Sequence, residues 1–207
     1  MTDAQIHASV AAYYSDRVRK YGATAAGVDW RDEASQELRF AQFQYLWRRQ
    51  QGFSLNDLGC GYGALYAYLR KRRKQVTYLG IDLSDDMLAI GRKRYRNTPS
   101  ISFTQGSSPP GMATYTVASG IFNVKGDPDP VAWRDYVFRT IASMAEHSEE
   151  GFAFNVLSDH SDKHLQRPDL YYADPAEMVD HCGRTISRHL MLVQDYGLYE
   201  FTLIVRL

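Results

Sequence analysis

Neither sign of charge prevails in this chain: 24 lysines and arginines offset 24 aspartates and glutamates. A protein without net charge carries no global field that would draw it to nucleic acid or to an anionic membrane surface. Cysteine is nearly missing. Cys60 and Cys182 stand far apart, with neither metal-ligand spacing nor a disulfide framework, which predicts a reducing cytoplasmic setting. No apolar run reaches the roughly 20 residues that a membrane-spanning helix requires. The stretch Met1 to Ala12 lacks the basic and then apolar layout of a signal peptide, so a soluble, cytoplasmic protein is expected. Internal repeats and low-complexity segments are missing as well. With 207 residues, the chain can build one full core with only local additions, which predicts a single domain over 1–207.

What is present is concentrated between residues 52 and 84. Gly52-Phe-Ser-Leu-Asn-Asp57-Leu-Gly59-Cys60-Gly61-Tyr62-Gly63 reads as a strand, a glycine turn and the opening of a helix. Tyr78-Leu-Gly80-Ile-Asp82-Leu-Ser84 reads as a second strand that ends in a carboxylate. Alternating glycines let the backbone turn sharply and let a ligand approach the helix opening, where free N–H groups and a partial positive charge await a polar group. Asp82 is then placed to accept hydrogen bonds from a ribose diol. A nicotinamide dinucleotide would use the same logic, but its diphosphate turn takes the form Gly-x-Gly-x-x-Gly and avoids an anion just ahead of it. Here Asp57 stands two residues before Gly59. A carboxylate there suits a ligand with a cationic amino group and no phosphate, and disfavours a nicotinamide-dependent reductase.

Around these motifs the chain alternates between helical and strand patterns. Apolar residues at helical spacing predict a helix from Ala4 to Lys20, with Ile6, Val10, Tyr13 and Tyr14, and another from Glu33 to Arg49, with Leu38, Phe40, Phe43, Leu46 and Trp47. The small-residue loop Tyr21 to Trp30 joins them. Strands are expected over Ser54 to Leu58, Val76 to Asp82, Ile101 to Gln105, Thr114 to Phe122 and Phe152 to Leu157. Further helices are expected from Ala64 to about Arg73, after an N-cap at Ser84, from Val131 to Ala145 and from Pro175 to His181. Thr185 to Val193 and Tyr199 to Val205 are two closing strands joined by Gln194-Asp-Tyr-Gly197-Leu, which reads as a hairpin.

Asp57-Leu-Gly59-Cys60-Gly61-Tyr62-Gly63 resembles motif I of the class I (Rossmann-like) S-adenosylmethionine-dependent methyltransferases, and Gly80-Ile-Asp82-Leu-Ser84 resembles their next motif. The resemblance spans 52–207, with sharp motifs only between Leu55 and Asp82. It implies an α/β fold: a doubly wound, mostly parallel seven-stranded sheet with a final antiparallel hairpin strand, the Rossmann-like core over 51–207, behind a helical extension over 1–50. It also implies S-adenosyl-L-methionine as cofactor, contacted by Asp57, Gly59, Cys60, Gly61, Asp82, Leu83 and Met87, then by Gly106, Ser107 and Ser119 after the third and fourth strands. Where many members carry an acidic residue for the adenine amino group, this chain has Gln105-Gly106-Ser107-Ser108, so Ser107 would bond the adenine more weakly. The small residues of Ala118-Ser119-Gly120-Ile-Phe122-Asn123 would let the methionine part lie close to the backbone, with Asn123 as an acceptor contact. That segment lacks the Asn/Asp-Pro-Pro-Tyr/Phe motif of enzymes that methylate exocyclic amines, which argues against DNA. Arg39, ahead of motif I, is suited to the cofactor carboxylate, as in some relatives; the other reading is a surface arginine beside Glu33 or Glu37.

The remaining candidates have two readings each. Arg70-Lys71-Arg72-Arg73-Lys74 is an RNA contact or, as favoured here, a solvated helix end where cations complement the dipole. Asp159-His160-Ser-Asp162-Lys-His164 lacks supporting ligands for a metal, so no metal is assigned; His160 is a candidate base or substrate contact, against a surface histidine. Tyr14, Tyr21 and Trp30 are either core packing or acceptor contacts in a lid formed by the first fifty residues. Methyl transfer from a sulfonium needs alignment more than acid or base, so a small-molecule O- or N-methyltransferase is expected. The alternatives are an RNA or protein methyltransferase and a non-catalytic cofactor-binding module.

Overall fold

The computed structural model describes residues 2–48 and 50–207. Met1 and Arg49 lie outside them, and with Arg49 the expected end of the second helix.

Fourteen elements follow in chain order. They are α1 (Asp3–Tyr21), α2 (Glu33–Gln42), α3 (Gln44–Trp47), β1 (Gly52–Leu58), α4 (Ala64–Lys71), β2 (Gln75–Asp82), α5 (Asp85–Arg94) and β3 (Ile101–Gln105). Then come β4 (Ala113–Ser119), α6 (Pro130–Glu146), β5 (Ser148–Leu157), α7 (Pro175–Thr185), β6 (His189–Val193) and β7 (Glu200–Arg206). The strands form one seven-stranded sheet in the order β3-β2-β1-β4-β5-β7-β6. β7, between β5 and β6, runs antiparallel to both of its neighbours. Helices cover both faces, which is why the inner strands are apolar on both sides. Leu55, Tyr78 and Tyr115 pack with Phe43, Leu65 and Leu69 on one face. Phe152, Phe154, Leu203 and Val205 pack with Trp133, Ile141 and Met178 on the other. The chain winds outward from β1 to β3 and then returns to β4, so a crevice opens beyond the carboxyl ends of β1 and β4, where open α/β sheets bind ligands.

Among the boundaries that differ from the sequence reading, three show tertiary packing overriding a local pattern. The second helix breaks at Phe43, whose N–H bonds to the Phe40 carbonyl in a tightened turn. The break lets Phe43, Leu46 and Trp47 all reach the core against Phe53. The fourth strand stops at Ser119 rather than Phe122, because Gly120 turns into the left-handed region at φ 79°. Thr185 ends α7 instead of opening a strand, since the helix continues far enough to bury Met178 and Cys182.

The N-terminal fifty residues divide by role. Phe40, Phe43, Leu46 and Trp47 are core, so α2 and α3 belong to the body of the domain. α1, started by a capping box between Thr2 and Gln5, lies across the crevice instead. Asp3 pairs with Arg139 of α6 at 2.6 Å, Ser15 meets Ser84 at 2.7 Å, and Arg19 pairs with Asp86 of α5 at 2.7 Å. Among the described residues no helix is long and apolar enough to cross a membrane.

Candidate active site

The turn after β1 is built around hydrogen bonds to β2. The N–H groups of Gly59 and Cys60 both donate to the Ile81 carbonyl, at 2.7 and 3.0 Å. Gly59 sits at φ 74°, and a Cβ there would fall 2.0 Å from Ile121 Cγ2, so both conformation and space demand glycine. Gly63, at φ 82°, precedes α4 and offers no side-chain cap. The first N–H groups of α4 are therefore left open at the crevice, where Ala64 and Leu65 line the wall.

Two carboxylates face this turn. Asp82 accepts from the Gly61 N–H through Oδ2 and from the Ser84 N–H through Oδ1, both at 2.8 Å. Ser84 in turn caps α5 through the Met87 N–H. Burial raises the Asp82 carboxyl above its ordinary range, while those backbone donors oppose the rise. Asp57, only 3% exposed, accepts a hydrogen bond from the Tyr78 hydroxyl. Burial pushes its carboxyl up to about 7; the Tyr78 bond pulls it back and the charge of Asp82 adds to the rise.

The crevice is partly enclosed, with about 90 Å³ open to the centre of a water-sized sphere. The structure brings most of the expected residues to it: Asp57, Gly59, Cys60 and Gly61 from the turn, and Asp82, Leu83 and Met87 from the end of β2 and α5. Gly106 and Ser107 follow β3, and Ser119 ends β4. Tyr14 of α1 and Trp30 form part of the opposite wall. The Tyr14 hydroxyl is raised far above its ordinary pKa, mainly by burial and then by the charge of Asp29.

Four expected site residues stand elsewhere. Arg39 is buried against Glu200 of β7, which takes its Nε at 2.8 and 2.9 Å, so its charge is already matched inside the protein. Tyr21 lies on the surface beneath Arg17 and Lys20. His160 has a 66% exposed side chain, 3.8 Å from Asp159, in the loop after β5. Asn123 is a structural clip whose Oδ1 accepts from the Leu157 N–H at 3.1 Å and whose carbonyl accepts from the Tyr171 N–H at 2.8 Å.

Other residues line the crevice without having been singled out from the sequence: Gln36 and Phe40 of α2, Ile121 after β4, and Tyr136 of α6. Gln36 and Tyr136 had no readable signal, because each sits on an ordinary helix face. Among the described residues no lysine, arginine or histidine lines the crevice, so its only formal charges are Asp57 and Asp82.

The methyltransferase-domain family model matches residues 56–123, from within β1 to just beyond β4. The protein named as methyltransferase Rv1506c of Mycobacterium tuberculosis is 43% identical over 154 residues, covering 74% of this chain and 93% of that protein. Two solved structures share the fold at low identity. Magnesium protoporphyrin IX methyltransferase (ChlM) from Synechocystis PCC 6803, with bound SAH, is 13% identical with a TM-score of 0.67, and 99% of each chain is covered. The 1,6-didemethyltoxoflavin-N1-methyltransferase of Burkholderia thailandensis, with its acceptor and S-adenosylhomocysteine bound, is 20% identical with a TM-score of 0.63, covering 100% of this chain and 91% of that one.

Proposed function

Since the chain belongs to the class I S-adenosylmethionine-dependent methyltransferases, with S-adenosylmethionine as methyl donor, we propose that it methylates a small-molecule acceptor on oxygen or nitrogen. The observation that carries this reading is the shape of the crevice, a partly enclosed cavity crossed by α1 rather than an open groove. A nucleic-acid strand or folded protein needs a surface it can lie along; a small molecule needs a pocket. The basic stretch at the end of α4 does not supply such a surface. Lys71 pairs with Glu33 and Glu37, Lys74 donates to the Gln50 carbonyl, and Arg72 stacks on Tyr68 at 3.6 Å. The two solved relatives, which act on a magnesium porphyrin and on 1,6-didemethyltoxoflavin, are consistent with this class.

The donor set fits the cofactor. Asp57 is the partner for its α-ammonium, and Asp82 for its ribose diol, each Asp82 oxygen holding one backbone N–H and keeping lone pairs free. The uncapped opening of α4 suits the carboxylate, a role assigned here to backbone because Arg39 is engaged with Glu200. Leu83 and Met87 flank the adenine, with Ser107 at its edge. The bound cofactor supplies a methyl group already activated on a sulfonium. What remains for the protein is to hold the acceptor atom in line and to exclude water, the task of the segment from α1 to Trp30. His160, exposed outside the crevice, has no part in this scheme.

Incubation with methyl-labelled S-adenosylmethionine and panels of small phenols and amines tests the proposal. Label appearing in a small product supports it. Label entering only RNA or protein, or cofactor binding with no turnover across the panels, overturns it.

A further inference from the structure

Trp30 is held in the crevice wall by two contacts that the cofactor reading does not use. The flat face of the Arg39 guanidinium lies 3.8 Å from the centroid of the Trp30 ring. The Cζ2–Cη2 edge of the indole abuts Gly120, where a Cβ would fall 2.3 Å from Cζ2 and 2.4 Å from Cη2. Arg39 is itself fixed: its Nε and Nη2 are taken by Glu200, 161 residues away in sequence, and its Nη1 donates to the Ser35 carbonyl at 2.8 Å. The side chains of the pair are only 9% and 1% exposed. A buried ion pair is a poor source of stability, because desolvation cancels most of its attraction; what it provides is one fixed arrangement. Here the arrangement orients a tryptophan beside Ser119, at the carboxyl end of β4.

The walls around Trp30 define the chemistry it would meet. Tyr14 and Tyr136 add two more aromatic rings, and Val10 and Ile121 are aliphatic. Among the described residues no lysine, arginine or histidine lines the crevice, so the walls offer no partner for an anionic acceptor. We infer that Arg39 and Glu200 are positioning residues that clamp Trp30 as the stacking platform for a flat, uncharged aromatic acceptor. The inference rests on the small-molecule reading above and narrows its substrate class.

The test uses the full chain saturated with S-adenosylhomocysteine, and three probes of similar outline: 1-naphthol, its saturated counterpart decahydro-1-naphthol, and 1-naphthoate. Calorimetry is expected to show 1-naphthol binding about five- to tenfold more tightly than either of the others, the margin that aromatic stacking supplies. Trp30→Ala should remove that margin and Trp30→Phe should keep most of it. Arg39→Met and Glu200→Gln should weaken 1-naphthol while leaving the S-adenosylhomocysteine affinity within about twofold, and Arg39→Lys should recover part of the loss. Should either single variant fail to fold, the double variant Arg39→Met with Glu200→Met replaces the pair by apolar chains of similar length and should show the same selective loss. The inference is overturned if Trp30→Ala binds 1-naphthol as the parent does, if the saturated alcohol or the carboxylate binds equally well, or if the Arg39 and Glu200 variants lose both ligands in proportion. Failure of the parent protein to bind S-adenosylhomocysteine at all would overturn the function proposed above instead.

Discussion

The Tyr78 hydroxyl donates to the Asp57 carboxylate from the adjacent strand, although Tyr78 is paired in register with Leu55 and Asp57 with Gly80. The long tyrosine thus reaches two places along β1 and fixes the orientation of a carboxylate that burial has pushed up to about 7. At neutral pH the free protein is a mixture of protonated and ionised Asp57. A cationic ammonium binds the ionised form, so cofactor binding below pH 7 must release a proton. Affinity for S-adenosylmethionine is therefore expected to rise about tenfold per pH unit up to the pKa and then to level off. Calorimetry in buffers of different ionisation enthalpy measures the released proton; a flat profile through this range would remove Asp57 from the ammonium site.

Asp57→Asn separates affinity from stability. The folded carboxyl titrates well above the ordinary aspartate value of 3.8, so its contribution to stability is fully present below about 4 and is lost as the pH rises through about 7. Ionised Asp57 therefore destabilises the free protein at pH 8. Asparagine keeps an oxygen for the Tyr78 hydroxyl and carries no charge. The variant should unfold at a higher temperature than the parent at pH 8, by up to about 4 kcal/mol, with the gain vanishing near pH 4. It should also bind the cofactor poorly. A variant less stable than its parent at pH 8 contradicts the argument.

Asp82→Ala should weaken S-adenosylhomocysteine by about 1.5 to 3 kcal/mol, the worth of hydrogen bonds to a charged group. Part of that loss is indirect, because the Gly61 and Ser84 N–H groups lose their acceptor and the turn loosens. Asp82→Asn, which keeps one acceptor oxygen, should lose less. Unchanged binding in the alanine variant would refute the ribose role.

The cofactor half of the site was legible because its signals are local. Three glycines and two carboxylates within 26 residues dictate a turn, a helix opening and a strand end whose geometry follows from backbone rules alone. The acceptor half was not, because its determinants are long-range. Nothing near Arg39 announces Glu200, and an arginine ahead of a glycine turn reads as a ligand for an anion until β7 is seen beside it. The same holds for Trp30, whose position is set by Gly120 from the far side of the sheet's switch point. Helix and strand boundaries failed in the same way at Phe43 and Thr185, where burial of side chains rather than propensity decides the outcome. Gly27, in the small-residue loop between the first two helices, is a packing residue rather than a flexible point: a Cβ there would fall 2.0 Å from the Gly22 carbonyl oxygen.

The last prediction concerns the roof over the crevice. Its attachments are of two kinds. Asp3 to Arg139 and Arg19 to Asp86 are exposed ion pairs, each worth less than about 1 kcal/mol. The loop from Gly22 to Trp30 is tied mainly to α1 itself, through Asp29, which takes Arg17 at 2.7 Å and the Tyr13 hydroxyl at 2.8 Å. Lifting α1 itself would draw Ile6 out of the core cluster it shares with Trp133 and Phe154 and part Val18 from Met87, so opening is confined to the loop between α1 and α2. The hinge is then not Gly27 but the exposed residues Tyr21 to Thr24 and the link at Arg31 before the Asp32 cap. In the free protein, limited proteolysis should cut between residues 21 and 24, and S-adenosylhomocysteine should slow the cut by holding Tyr14 and Trp30 of the roof against it. Deletion of residues 1 to 30 should abolish methyl transfer and leave a cooperatively folded sheet. Equal cleavage with and without ligand, together with full activity in the truncated chain, would show that the roof is passive packing and would move the acceptor site to the loops after β4 and β5.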